Sequence, residues 1–163
     1  MDGLTLADVK VFTRHRVQYE ELWSRALTED LPVLVFRFRT PTVFREHRRL
    51  LPFPLPSLVF HTLAKKWQRW SPIDLEGVQD WVAASVDLSS YRLHTRRLMG
   101  HRRLYPGFVG EAHFSLRRLD PVQRPAIYAL ALYAEWAGVG AMTTVGFGQA
   151  ALLSPLGKES AFR

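Results

Sequence analysis

The chain has 163 residues, is 47% hydrophobic and carries a formal charge of +7, from 22 basic against 15 acidic residues. Length and apolar fraction fit one domain with a real core, or one small domain with an extension, and no apolar run reaches membrane-spanning length. The lack of cysteine excludes disulfides and thiolate chemistry, and the acid-containing start from Met1 to Lys10 lacks a signal peptide's pattern, so cytoplasmic residence and no membrane partner are expected.

Tyr19 to Leu27 places Tyr19, Leu22, Trp23, Ala26 and Leu27 at helical spacing, a short packing helix ended by Asp30-Leu31-Pro32. Val33 to Arg39 alternates as a strand, with Leu34, Phe36 and Phe38 inward and Val33, Val35, Arg37 and Arg39 outward. Arg45 to Arg49 reads as a mobile basic loop around His47. Beyond Pro52, Pro54 and Pro56, Ser57 is the expected N-cap of a helix over Leu58 to Trp70. Trp67 and Trp70 are its expected core or interface anchors. A further short helix is expected within Leu75 to Val86, with Trp81 inward.

Tyr91 to Leu98 and Gly107 to Leu116 read as an antiparallel pair of strands. Tyr91, Leu93, Thr95 and Arg97 lie on one face of the first, and Arg92, His94, Arg96 and Leu98 on the other. Ile127, Leu130, Ala131, Ala134 and Ala137 form a small-residue helical stripe fit to lie on a sheet, and Phe147 to Leu153 is a last short strand. The order is that of an α+β, ferredoxin-like (RRM-like) βαββαβ sandwich, a four-stranded antiparallel sheet with both helices on one face. Residues 1–31 then form an N-terminal extension with a short helix, 32–155 the domain, and 156–163 a flexible tail.

Between the last helix and last strand runs Gly138-Val139-Gly140-Ala141-Met142-Thr143-Thr144-Val145-Gly146-Phe147-Gly148. It closes a helix and opens a strand, the reverse of a dinucleotide loop, and it lacks the lysine of a Walker loop. Two readings stand: a tight structural turn with Gly138 as the helix C-cap, or a run of exposed amides able to cradle an anion. The basic residues are mostly arginine, a planar donor fork suited to phosphate. From Arg92 to Arg118 seven arginines, with His94, His101 and His113, face the single acid Glu111. A polyanion is the expected partner, rather than a lipid surface, because these residues do not share one amphipathic helix.

His15, His47, His61, His94, His101 and His113 show no zinc-site spacing, and no acid pair points to a magnesium-dependent nuclease, so no metal or other cofactor is expected. Metal-free cleavage of RNA needs a base for the 2′-hydroxyl proton, an acid for the leaving 5′-oxygen and donors around the phosphorane. His47, between arginines, is the best local candidate, and His101 has a similarly basic setting.

The chain resembles the C-terminal half of the CRISPR repeat-processing endoribonucleases, within the repeat-associated mysterious protein superfamily. The resemblance rests on Gly107-Phe108-Val109-Gly110-Glu111 followed, after one helix, by Ala137-Gly138-Val139-Gly140-Ala141-Met142-Thr143-Thr144-Val145-Gly146-Phe147-Gly148-Gln149. Phe38 to Phe44, the proline-spaced Leu51 to Pro56, the Val59 to Trp70 helix and Tyr91 to Arg97 add to it, so that it covers Tyr19 to Leu153. It implies tandem ferredoxin-like folds, binding of CRISPR repeat RNA, and metal-independent cleavage of precursor CRISPR RNA that leaves a cyclic phosphate. The RNA-binding residues implied here are Arg92, Arg96, Arg97, Arg102, Arg103, Gly138, Gly140, Thr143, Thr144, Gly146 and Gly148. The family's first ferredoxin-like domain, which in many members keeps the general-base histidine, has no counterpart in this sequence, and no catalytic histidine is carried over. A homodimer, a separate N-terminal ferredoxin-like domain or CRISPR effector subunits are the implied protein partners. The alternatives are a noncatalytic RNA-binding or scaffold subunit of a CRISPR ribonucleoprotein, and a basic ferredoxin-like structural protein with no RNA role.

Overall fold

The structure, a computed structural model, describes residues 16–99 and 104–153. Four strands, β1 (Val33–Thr42), β4 (Asp87–Met99), β5 (Leu104–Ser115) and β6 (Ala150–Leu153), form an antiparallel sheet in the order β4-β5-β1-β6. Helix α2 (Pro56–Trp70) lies between β1 and β4, and α4 (Arg124–Ala137) between β5 and β6. This is the βαββαβ order and strand arrangement of a ferredoxin-like sandwich. Helix α1 (Tyr19–Thr28), a small hairpin of β2 (Phe44–Glu46) and β3 (Arg49–Leu51), and helix α3 (Val78–Ser85) are added to it.

The alternation read in β1 holds. Leu34, Phe36 and Phe38 are buried beneath the helices, and Val33, Val35 and Arg37 lie on the open face. Phe36 meets Phe60 of α2 and Phe114 of β5 edge-on at 6.0 and 5.4 Å, an arrangement favoured by the ring quadrupoles. Helix α4 has an unbroken buried run from Ala126 to Ala134, because α1 covers the side that the sheet does not. Leu22 and Ala26 of α1 are buried there. Tyr19, Trp67 and Tyr133 join α1, α2 and α4 in one ring cluster, with centroids 5.0 to 5.6 Å apart.

Several local expectations are corrected. Ser57 does not cap α2. Leu55 does, with Pro56 in the first turn, where its fixed φ suits a helix start and its missing N–H costs no bond. Of the two expected anchors, Trp67 takes the core role, fully buried with its indole N–H donated to Ile73, and Trp70 is 67% exposed beneath the Arg69 guanidinium, 5.1 Å from its ring. Arg45 to Arg49 is the β2–β3 hairpin rather than a loop, turned by His47 and Arg48 at φ 42° and 68°. The last strand starts at Ala150, because Phe147 to Gln149 still belong to the turn before it.

Candidate nucleic-acid interface

The glycine segment is built chiefly by what it must pass. The Gly138 N–H closes the last turn of α4 on Ala134, making Gly138 the C-cap as expected. Val139 then donates to the Gly148 carbonyl, Ala141 to Val43, and Gly148 to Pro41. The Gly140 N–H approaches Thr62 Oγ1 at 3.4 Å, and the Gln149 N–H approaches Thr40 Oγ1 at 2.9 Å. Val145, Gly146 and Phe147 donate within a 3-10 turn over Thr143–Val145. Most amides of the segment are therefore spent on the protein. Only those of Met142, Thr143 and Thr144 lack an acceptor among the described residues. A Cβ on Gly140 would stand 2.5 Å from the Val43 carbonyl oxygen, and one on Gly148 would overlap the Val139 carbonyl oxygen. Close backbone approach by itself requires glycine at these two positions.

Three basic or polar features meet at this end of the sheet. The glycine segment is bonded through Ala141 to Val43, at the base of the hairpin that carries exposed Arg45, His47, Arg48 and Arg49. Pro41, which accepts from Gly148, packs where a Cβ on Gly107 would lie, and Gly107 pairs opposite Arg96 of β4. The Tyr105 and Phe147 rings meet edge-on at 6.5 Å, joining the start of β5 to the glycine segment. Beside them a cleft of about 130 Å³ is lined by Glu135, Gly138, Thr143, Thr144, Phe147 and Gln149 among others. Its one acid, Glu135, has the Arg39 guanidinium 3.6 Å away.

The register divides the predicted arginines. Arg92 lies opposite Glu111 and Arg96 opposite Gly107, both on the open face with His94. There Arg37 holds Glu111 Oε1 through Nε and Nη2 at 3.1 and 2.7 Å, so this acid is already occupied. Arg97 points to the other side of the sheet, and Arg102 and Arg103 lie outside the described residues. Thr143 is half-buried and Thr144 and Gly146 are exposed. Of the histidines, His47 sits exposed at the hairpin tip, His61 is exposed on α2, and His94 and His113 are on the open face. His15 and His101 lie outside the described residues. Among the described residues no group of three or more histidines and acids gathers as a metal site, and no helix is long and apolar enough to cross a membrane.

Sequence reasoning missed Lys66. From α2 its ammonium donates to the carbonyls of Ala137 and Gly138, both at 2.9 Å, and approaches Thr143 Oγ1 at 3.3 Å. Burial pushes its pKa below the ordinary lysine range. The available signal was a lysine set within the apolar stripe of Val59, Leu63 and Trp67.

Residues 36–150, more than half of the chain, match the family described as CRISPR-associated endoribonuclease Cas6. The chain belongs to the Cas6 family. Its relatives include the Cas6 endoribonuclease of Streptococcus thermophilus, 25% identical over 154 residues that make up 89% of this chain and 63% of that protein. The Cas6 of Mycobacterium tuberculosis is 32% identical over 115 residues, 68% of this chain and 36% of the relative. Among solved structures, a Thermus thermophilus Cas6 superposes with a TM-score of 0.76 at 30% identity, over 84% of this chain and 58% of that one. A Cas6 product complex gives 0.75 at 28% identity, over 85% and 57%. The chain thus spans less than two thirds of the length of each of these Cas6 proteins.

Proposed function

We propose that this chain binds CRISPR repeat RNA and takes part in the metal-independent processing of precursor CRISPR RNA, with residues 32–155 as the RNA-binding domain. Arg92, Arg96, Arg97, Arg102 and Arg103 supply guanidinium groups to phosphates, and Thr143, Thr144 and the amides near them meet the ribose-phosphate chain. Gly138, Gly140, Gly146 and Gly148 serve by giving the turn its shape. In the reaction a 2′-hydroxyl oxygen attacks the adjacent phosphorus as its proton leaves to a base. The bond to the 5′-oxygen breaks as an acid protonates that oxygen, leaving a 2′,3′-cyclic phosphate and a 5′-hydroxyl. No residue of this chain is assigned as base or acid. A ferredoxin-like domain N-terminal to this one, or a second copy of the chain, is the proposed partner in the reaction, in the cytoplasm.

The observation that carries this is the Cas6 match over residues 36–150, which runs through both the arginine strand and the glycine segment. A noncatalytic, RNA-holding role is the second reading. It needs the RNA contacts alone and no base or acid from this chain. The deciding experiment incubates the purified chain in EDTA with labelled repeat RNA, intact or carrying a 2′-deoxy substitution at the cut site. Cleavage abolished by the substitution establishes catalysis, and binding without cleavage supports the second reading. Failure to bind repeat RNA more tightly than an unrelated RNA overturns both.

A further inference from the structure

The glycine segment leaves the C-terminal end of α4, which is a poor place to receive a polyanion. The aligned peptide dipoles of a helix put roughly half a negative charge at that end. Helix α4 has no basic residue in its last turn, and Glu135 lines the adjoining cleft. A cation nonetheless sits on the exposed carbonyls, and it comes from another helix. Lys66 Nζ is 2.9 Å from the Ala137 and Gly138 oxygens and 3.3 Å from Thr143 Oγ1. An ammonium has three donors and no acceptor, so these three oxygens use its capacity. Two further contacts run the same way: Thr62, one turn earlier on α2, accepts from the Gly140 N–H at 3.4 Å, and the Ala141 N–H is held by Val43 at 2.8 Å.

We propose that Lys66 is the positioning residue of this interface: it fixes the glycine segment against α2 and offsets the negative end of α4, so that a phosphate chain can approach without Lys66 touching it. The inference rests on the RNA-binding function proposed above. It separates two kinds of cation at one site. Arginines such as Arg96 release counterions as they take up phosphates, whereas Lys66 keeps its donors on the protein before and after binding.

The test measures the affinity of the full chain for labelled repeat RNA over a salt series, together with hydrogen exchange at the amides of residues 138–148. Lys66→Met keeps the apolar stem and removes the charge and donors, whereas Lys66→Arg keeps both in a different shape. Lys66→Met is expected to bind about tenfold more weakly, with faster exchange in 138–148, unchanged exchange inside α4 and the wild-type salt slope, while Arg96→Ala lowers that slope by about one. Lys66→Arg is expected to recover most of the loss. Wild-type affinity in Lys66→Met overturns the inference, as does a salt slope reduced by one, which would make Lys66 a direct phosphate ligand. Equal losses in both variants also overturn it. Should Lys66→Met not fold, Lys66→Gln, which keeps a polar donor and removes the charge, carries the test, and wild-type affinity and exchange in it overturn the inference. A wild-type chain that binds no repeat RNA removes the proposed function and this inference together, whereas intact wild-type binding with an indifferent Lys66 removes the inference alone.

Discussion

Gly140, Gly146 and Gly148 all have left-handed φ, of 81°, 90° and 69°, yet a side chain at each would meet different surroundings. At Gly146 a Cβ would enter open space, so Gly146→Ala carries only the backbone strain of that region, about 1–2 kcal/mol. At Gly140 and Gly148 it would meet the carbonyl oxygens of Val43 and Val139, and neither backbone can retreat without breaking the Ala141–Val43 or Val139–Gly148 hydrogen bond. We expect Gly148→Ala to destabilise the fold by about 3 kcal/mol, clearly more than Gly146→Ala, in urea unfolding. Equal losses at the two sites would contradict this account. The glycine spacing in the sequence announced a special turn but not its purpose. A backbone that bends to receive a ligand and one that bends to pass another strand call for the same residue, and only the partner atoms tell them apart.

Most of the element order was legible in the sequence, because strands buried on one face alternate and the helices present apolar stripes. What was not legible had a tertiary cause. Trp70 shares a helical stripe with Trp67, but the partner surface stops one turn short of it. His47 and Arg48 make the hairpin turn in left-handed conformations usually given to asparagine or glycine, so nothing local announced it. The alternation in β4 did carry through, and it makes a prediction at this scale. Arg92 and Arg96 share the open face while Arg97 faces the other way. If each neutralises a phosphate, Arg92→Ala and Arg96→Ala should each reduce the salt slope of RNA binding by about one, and their effects should add. Arg97→Ala reports separately on the helix side of the sheet; unchanged slopes in all three would remove β4 from the interface.

The packing of α1, α2 and α4 has a signature that can be followed in the whole molecule at high pH. Desolvation, followed by the nearby Glu29, raises the pKa of the Tyr128 phenol above its usual 10.0, and desolvation with the Tyr19 hydroxyl at 3.4 Å raises that of Tyr133 from the same value. A group whose pKa is higher folded than unfolded contributes its stability fully below the unfolded value and loses it as pH rises through the folded one. The chain should therefore lose stability progressively above about pH 10, and Tyr133→Phe should flatten that loss. Parallel pH profiles for the two chains in urea unfolding would show that this phenol does not contribute.

The sheet's outermost strand has a further consequence. Among the described residues β4 is the longer rim of the sheet, 13 residues with one side of its backbone ladder unpaired. Such a rim invites a second chain to stack alongside it, and repulsion between like charges is a common safeguard. Arg92, Arg96 and Arg97 are exposed along it, so the same guanidinium groups that attract a polyanion keep neighbouring molecules apart. Screening them should weaken that safeguard. Light scattering from the nucleic-acid-free chain is expected to rise between low and high ionic strength, and glutamate in place of Arg96 should bring the onset to lower salt; a signal flat across the series would mean that the rim is protected by something other than charge.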